Sequence, residues 1–137
     1  MPEVRRSVRL PASAARVWAT IGGFNALPEW HPAVERSELS DGGRTRTLYL
    51  AGGGRIVEGL DEHDAAARRY RYRFIESPLP IENYRSSLSV RDEGDDGCTV
   101  EWHGEFASDD AVRTQMEEAV AGIYDTGLEN LRRLFGG

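Results

Sequence analysis

The sequence predicts an α+β fold in which a curved, seven-stranded antiparallel sheet packs against one long C-terminal helix. Seven segments alternate apolar and polar residues with the period of two that half-buried strands show. Short turns rich in glycine, aspartate and proline separate most of these segments, which favours antiparallel hairpins. The last part of the chain changes to helical periodicity, so its apolar stripe must be buried against the apolar face of the sheet.

Two short helical segments are predicted between the first and second strands. The first strand, residues 4–10, ends at Pro11. Ser13 can cap a helix over residues 14–21, which two glycines then stop. Residues 24–31 are predicted to form a loop with one helical turn.

The other six strands follow one another without another helix. Turn signals at residues 41–43, 52–54 and 93–97 separate three pairs of them, and residues 63–67 are predicted to be a connecting loop that includes His63. The predicted strands are residues 34–40, 44–51, 55–62, 69–76, 82–92 and 98–107.

The C-terminal helix is predicted to begin after Ser108, a possible N-cap, and to run to about Phe135. A curved sheet that holds this helix leaves space at the helix's open end, which the early helical segments would cover. The predicted apolar stripe consists of Val112, Met116, Val120, Ile123, Tyr124, Gly127, Leu128, Leu131 and Leu134.

Length and composition exclude several classes of protein. The 137 residues suit a single domain over residues 1–137, and the net charge of −6 disfavours a nucleic-acid or anionic-membrane binder. The single cysteine, Cys98, rules out an internal disulfide, and the absence of lysine rules out Schiff-base catalysis through a lysine amine. No motif for a metal or a cofactor is present, and no apolar segment is suited to a signal peptide or a membrane span. A cytoplasmic location is therefore expected.

The order of elements, with the residues at their joints, resembles the START-like superfamily of polyketide cyclases, dehydrases and lipid-transport proteins. Small bacterial polyketide cyclase/dehydrase-like proteins are the most similar group. The resemblance covers nearly the whole chain. The residues that carry it are Val17-Trp18, the segment from Leu27 to Pro32, Arg46-Thr47-Leu48, Glu58-Gly59-Leu60, Tyr72-Arg73-Phe74, Pro78-Leu79-Pro80, Asn83-Tyr84, Glu101-Trp102 and the segment from Gly127 to Leu131.

This resemblance implies the helix-grip fold of the birch-pollen allergen. It also implies a cavity for a small, mostly apolar ligand between the sheet and the C-terminal helix. The superfamily includes carriers, ring-closing catalysts and sensors, so the fold does not select among these functions.

Arg46 and Glu58 form the first candidate site. Counting back from the turn at residues 52–54 places them opposite each other on adjacent strands, on a face that also carries Leu48. In one interpretation Arg46 binds a ligand oxyanion and Glu58 orients the ligand or acts as a base. In the other, the two residues form a structural cross-strand ion pair on a solvated face.

Aromatic residues supply the remaining candidates. Trp30 could stack on a flat ligand or pack the roof of the cavity, and His31 could move a proton or serve as a structural residue. Tyr72, Tyr84 and Tyr124 suit an apolar wall with a few polar groups, with core filling as the alternative. Trp102 belongs either to this wall or to the core.

Three functions are compatible with these residues. The preferred one is binding of an aromatic or of a polyketide- or lipid-like ligand without a cofactor. The alternative is a metal-free cyclase or dehydratase, a lyase or isomerase, with His31 or Glu58 as the base and with Arg46 and Tyr84 stabilising an oxyanion. The third is a docking module that uses the alternating arginines of residues 69–73. A second copy of the chain stays open as a partner, whereas nucleic acid and stable membrane insertion are not expected.

Overall fold

A computed structural model describes residues 2–94 and 97–136, and within these residues seven strands form one antiparallel sheet. The strand order is β1-β7-β6-β5-β4-β3-β2, so that β1 and β2 are the two edges. The strands are β1 Glu3–Leu10, β2 Val34–Ser40, β3 Thr45–Leu50, β4 Arg55–Asp64, β5 Arg69–Glu76, β6 Glu82–Gly94 and β7 Gly97–Ala107. The helices are α1 Ala14–Ile21, α2 Leu27–Trp30 and α3 Arg113–Phe135. The predicted fold class is confirmed.

The two short helices between β1 and β2 form as their sequence predicts. The Ser13 hydroxyl accepts a hydrogen bond from the Arg16 backbone N–H at 3.2 Å, which caps α1. Pro28 lies in the first turn of α2, where its missing N–H costs no helical hydrogen bond. Leu27 and Trp30 of α2 are buried, so this helix covers one end of the sheet.

The long helix α3 begins later than the sequence suggests. A 3₁₀ turn, Asp110–Val112, precedes it, and Val112 occupies the N-cap position without a side-chain hydrogen bond. The predicted cap at Ser108 is therefore wrong, because the helix starts five residues further along. Leu134, which we placed on the apolar stripe, is 49% exposed. The buried residues of α3 are Met116, Val120, Ala121, Tyr124, Gly127, Leu128 and Leu131.

Gly127 lets α3 closely approach residues 27–33, which comprise α2 and the residues after it and are called the roof segment below. A Cβ atom at this position would lie 2.7 Å from Cδ2 of His31 and 3.0 Å from ring atoms of both Trp30 and Trp102. These distances are shorter than normal carbon contacts. The absence of a side chain at Gly127 therefore allows one helix, one roof segment and one strand to meet.

The prediction that His63 lies in a connecting loop is wrong, because β4 continues to Asp64. The register shifts between Leu60 and Glu62, so that Asp61 is an extra residue on β4. Such a bulge changes which residues face inward, a change that counting by twos does not detect. His63 consequently pairs with Tyr70 across the sheet and stacks on its ring at 6.3 Å.

The hairpin between β6 and β7 is longer than predicted. β6 extends to Gly94 and β7 begins at Gly97, whereas the sequence predicted ends at residues 92 and 98. The centre of the predicted turn, Asp95 and Asp96, lies outside the described residues. Across residues 2–94 and 97–136, no helix combines the length and the apolar character needed to span a membrane.

Candidate functional site

A mostly apolar cavity of about 180 Å³ lies between the sheet, the roof segment around α2 and one side of α3. Leu27 and His31 line it, so the early helical segment covers the cavity as the sequence predicts, but the contact with the long helix is Ile123, in the middle of α3 and not at its end. Concave, mostly apolar cavities with a few polar groups are typical of small-molecule sites. The lining residues are Leu27, His31, Ala33, Val34, Leu48, Leu50, Ala51, Ile56, Glu58, Tyr72, Phe74, Tyr84, Trp102 and Ile123.

The cavity wall contains six of the nine candidate residues from the sequence: His31, Leu48, Glu58, Tyr72, Tyr84 and Trp102. The other three are buried behind it. Arg46 contacts Glu58, Tyr124 stacks on Trp102, and Trp30 packs against both His31 and Trp102. We therefore expect Arg46, Tyr124 and Trp30 to act on a ligand only through the wall residues that they support.

Arg46 and Glu58 are directly opposite each other in the β3–β4 register, as counted from the turn. Arg46 Nε donates to Glu58 Oε1 at 2.8 Å, and Nη2 lies 2.7 Å from the same oxygen. Arg46 is 0% exposed and Glu58 is 4% exposed. The interpretation that placed this pair on a solvated face is therefore wrong.

The Arg46 guanidinium is fully enclosed by protein groups. Nη1 donates to the Phe24 carbonyl oxygen at 2.7 Å, and the guanidinium carbon lies 4.2 Å from the centre of the Phe24 ring. Glu58 differs, because its Oε2 accepts no hydrogen bond from any residue that the structure describes. Burial raises the pKa of the Glu58 carboxyl, and the neighbouring Arg46 opposes that shift. Glu58 therefore offers one unengaged oxygen in the cavity wall.

His31 is held in one tautomer by the backbone around it. Its Nε2 lies 2.7 Å from the Ile123 carbonyl oxygen, which can only accept, so Nε2 carries the proton. Its Nδ1 accepts from the Ala33 backbone N–H at 3.2 Å. Both ring nitrogens are thus occupied, and His31 joins the roof segment to α3. A role as general base would require it to give up the bond to Ala33.

We expect the protein to lose stability on mild acidification because of His31. Burial lowers the pKa of the His31 imidazole below 6.5. The unfolded chain therefore takes up a proton near pH 6.5 where the folded chain does not. The stability that the neutral ring contributes is complete above that pH and is lost as the pH falls toward the folded-state pKa.

Urea denaturation between pH 8 and pH 5 tests this expectation. The His31→Gln variant should show a flatter pH profile than the unmodified protein, and His103→Gln, at a partly exposed imidazole, is the control. An NMR titration that gives His31 a pKa at or above 6.5 would contradict it.

Trp30 serves as packing in the roof of the site. Its ring centre lies 5.5 Å from that of Trp102 and 5.9 Å from that of His31. Its carbonyl oxygen accepts from Asn130 Nδ2 at 2.9 Å, which attaches α2 to α3. These contacts agree with the packing interpretation of Trp30 rather than with stacking on a ligand.

The three tyrosines join into one buried hydrogen-bond chain with Trp102 and Ser86. Trp102 Nε1 donates to the Tyr72 hydroxyl at 3.0 Å, and the Tyr72 and Tyr84 hydroxyls are 3.4 Å apart. The Tyr84 and Tyr124 hydroxyls are 2.5 Å apart, and Ser86 Oγ lies 3.0 Å from the Tyr124 hydroxyl. Burial raises the pKa of Tyr72 and that of Tyr84 well above their usual values. Burial also raises the pKa of Tyr124. The three tyrosine hydroxyls therefore keep their protons near neutral pH.

Sequence reasoning missed Ser86, Phe74 and Ile123 as parts of the site. Ser86 and Phe74 had a usable signal, because each shares the inward face of its strand with residues that were selected, Tyr84 and Tyr72 respectively. Phe74 stacks on Tyr84 with ring centres 4.0 Å apart. Ile123 was assigned to the apolar stripe of the helix, and nothing in the sequence indicated that it would border a cavity.

The arginines of β5 are engaged by acidic residues of the neighbouring strand. Arg69 Nη2 lies 3.1 Å from Glu62 Oε1, and Arg73 forms an ion pair with Asp61. These pairs reduce the positive charge available to an acidic partner, so they weaken the docking-module hypothesis.

His103 is also engaged by an acidic residue, since its Nε2 lies 2.6 Å from Glu3 Oε1. Among the described residues, no cluster of three or more acidic, histidine or cysteine side chains is arranged to hold a metal ion.

Two known structures are similar to the chain in both sequence and fold, and a third is similar in fold alone. The protein XoxI from Bacillus cereus is 34% identical, with 98% of this chain and 96% of that chain covered and a TM-score of 0.95. A protein from Thermobifida fusca is 33% identical, with 99% and 94% covered and a TM-score of 0.90. The ZhuI aromatase/cyclase from a Streptomyces species is 18% identical, with 97% and 95% covered and a TM-score of 0.74, and it shows the fold alone. No curated protein matches the chain.

A family model agrees with the element order and with the helix-grip architecture. The model described as polyketide cyclase/dehydrase and lipid transport matches residues 1–136. This match confirms the resemblance that the sequence motifs suggested. The chain belongs to the polyketide cyclase/dehydrase and lipid transport family.

Proposed function

We propose that this protein binds a small, mostly apolar ligand, aromatic or polyketide- or lipid-like, in the cavity between its sheet and α3. The observation that carries the proposal is the cavity itself. Most of its wall is apolar side chain, and a carboxylate with an unengaged oxygen lies in that wall. Burying a carboxylate costs several kcal/mol unless partners or a function offset that cost. Arg46 offsets part of the cost at Oε1, and a ligand would complete the site at Oε2.

The wall is also well fixed before any ligand arrives. Backbone hydrogen bonds hold His31, the tyrosine chain holds Tyr72 and Tyr84, and Arg46 holds Glu58. A preorganised wall lowers the entropic cost of binding, because few side chains must be ordered when the ligand enters. A site of this kind suits binding and release without a cofactor.

Native mass spectrometry of freshly purified protein, followed by NMR titration with toluene, tests the proposal. We expect a co-purifying small molecule, or else amide shift changes at Leu48, Ile56 and Ile123 when toluene is added. The Leu48→Phe variant fills the cavity and should weaken toluene binding at least about tenfold, since a bulkier side chain leaves too little space. Leu39→Phe, at a 46% exposed position of β2, is the control. No co-purifying molecule together with no shift at these residues would contradict the proposal.

A second candidate function is proton abstraction by Glu58. The unengaged Oε2 and the burial that raises the pKa of the carboxyl both favour a general base. Catalysis next to a carbonyl also needs donors for the developing oxyanion. Arg46, which the sequence suggested for that role, donates through Nε to Glu58 and through Nη1 to the Phe24 carbonyl oxygen. Its Nη2 has no hydrogen-bond partner among the described residues, but Arg46 does not line the cavity. We therefore rank catalysis second.

Deuterium uptake by phenylacetaldehyde in D₂O tests this alternative directly. If Glu58 is a base, the purified protein should accelerate exchange at the carbon next to the carbonyl group. The Glu58→Gln variant should remove that acceleration, and Glu38→Gln, at an exposed ion pair of β2, should not. Equal exchange with and without the protein would leave binding as the function.

A further inference from the structure

The hydrogen-bond chain behind the cavity has only one possible direction. It ends at the backbone carbonyl oxygen of His103, which can only accept, so Ser86 Oγ must donate to it, at 3.0 Å. Ser86 has one hydroxyl proton. Tyr124 must therefore donate to Ser86, and for the same reason Tyr84 must donate to Tyr124.

The same count of hydroxyl protons applies at the end of this hydrogen-bond chain nearest the cavity. Tyr84 uses its single hydroxyl proton to donate to Tyr124, so Tyr72 must be the donor in the contact between Tyr72 and Tyr84. Tyr72 also accepts from the indole N–H of Trp102, which has no lone pair to offer. Each group from Trp102 to Ser86 thus donates its hydrogen bond to the next group, and the last bond is accepted by a backbone oxygen. Tyr84, which the sequence suggested as an oxyanion stabiliser, has no free proton for that task.

The remaining side-chain donor in the wall is also engaged. The Nε2 proton of His31 goes to the Ile123 carbonyl oxygen. Near the roof segment, the backbone N–H groups of Val34 and Ala51 donate to carbonyl oxygens of His31 and Ala33. Among the described residues, no side chain that lines the cavity has a free N–H or O–H. Two buried donors behind the wall, Trp30 Nε1 and Arg46 Nη2, have no hydrogen-bond partner among these residues, but neither belongs to a residue that lines the cavity. The free polar atom of the wall is an acceptor, Glu58 Oε2.

The charge of the site and the size of the cavity further limit the class of ligand. Arg46 neutralises Glu58, so the site has no net negative charge to offset a buried cation, which favours a neutral donor. A cavity of about 180 Å³ is close in size to an engineered apolar cavity of about 150 Å³ that binds benzene. One substituted ring therefore fits the enclosed space.

We propose that the ligand is a compact, single-ring molecule whose polar group is a neutral hydroxyl, as in a phenol, and that this hydroxyl donates to Glu58 Oε2. This inference rests on the proposed function, since it assumes that the cavity is the binding site. The site then selects a ligand with a hydrogen-bond donor over a ligand with only a carbonyl acceptor. A ligand that offers only a carbonyl oxygen would find no donor among the wall side chains and would lose its hydrogen bonds to water.

Calorimetric titration with three probes of nearly the same shape tests the proposal. The probes are p-cresol, toluene and 4-methylbenzaldehyde, which differ in offering a donor, no polar group and an acceptor. The chain has no lysine with which the aldehyde could form an imine. We expect p-cresol to bind at least about tenfold more tightly than toluene, since a hydrogen bond to a charged acceptor is among the strong ones. We expect 4-methylbenzaldehyde to bind no more tightly than toluene.

The Tyr84→Phe variant tests the direction of donation along the hydrogen-bond chain. Without the Tyr84 hydroxyl, Tyr72 has no acceptor for its proton and can turn it toward a ligand. The preference for p-cresol over 4-methylbenzaldehyde should then shrink at least several-fold. Tyr49→Phe is the matched control, because Tyr49 faces the other side of β3, where Arg36 covers its ring. It should leave all three affinities unchanged.

The outcomes distinguish this inference from the proposed function. Equal binding of the three probes, or tighter binding of the aldehyde, would overturn the selection of a donor and leave the cavity as a binding site. If no probe bound but a larger molecule co-purified in a Leu48-dependent way, the single-ring limit would be wrong and the proposed function would stand. If no probe bound and nothing co-purified, both would fail.

Discussion

Replacing Arg46 by methionine should lower the free energy of unfolding by about 3–5 kcal/mol, as expected when one partner of a buried ion pair is removed. The variant would leave the Glu58 carboxyl, which is 4% exposed, without the cation that compensates its charge. It would also remove the donor to the Phe24 carbonyl oxygen and the contact with the Phe24 ring. Urea denaturation followed by circular dichroism measures the loss.

Two further variants separate burial from ion pairing as the cause. Arg5→Met removes one partner of the exposed Arg5–Glu101 pair and should cost less than about 1 kcal/mol. The double variant Arg46→Met/Glu58→Leu removes both buried charges and should recover most of the lost stability. If Glu58 receives the ligand hydroxyl, the refolded double variant should bind p-cresol no better than toluene. A loss at Arg46 as small as that at Arg5 would contradict the assignment of a buried pair.

The sequence predicts most of the fold because period and turn chemistry are local signals. Ser13, the glycine turns and the alternating strands each specify their own short segment, and the order of the segments then leaves few ways to bury them. The errors arise where a distant contact or an extra residue determines which face a residue lies on or where an element begins. The bulge at Asp61 places His63 opposite Tyr70, where its side chain is still exposed. Helix α3 begins at Arg113 although Ser108 is a suitable local cap.

The site is predictable in part for the same reason. Arg46 and Glu58 are found by counting from a tight hairpin, over a stretch in which the register holds. Their burial, and the enclosure of Arg46 behind the cavity wall, depend on Phe24 and Tyr70 from other parts of the chain. The role of Ser86 depends on Tyr124, which is 38 residues away in the sequence, since the Ser86 hydroxyl becomes informative only when Tyr124 is placed beside it.

Gly104 is a position in β7 at which alanine should be poorly tolerated. A methyl group there would overlap the Tyr124 hydroxyl and would lie 3.3 Å from Cε1 of Tyr84. Tyr124 cannot move aside freely, because its ring is stacked on Trp102 with centres 4.5 Å apart. We expect Gly104→Ala to cost about 1–3 kcal/mol, the usual range for overpacking. Gly122→Ala, on the exposed side of α3 with no atom near the new methyl group, should instead stabilise the protein by up to about 1 kcal/mol.

Removing the Tyr124 hydroxyl should relieve the effect of alanine at Gly104. Tyr124→Phe alone should cost about 1 kcal/mol, because it interrupts the buried chain between Tyr84 and Ser86. The double variant Gly104→Ala/Tyr124→Phe should be more stable than the sum of the single effects predicts, since the clashing atom is gone. It should still show a weakened preference for p-cresol, because Tyr84 no longer has an acceptor for its proton. Strict additivity of the two substitutions would mean that the cost at Gly104 comes from the strand backbone, and not from the approach of Tyr124.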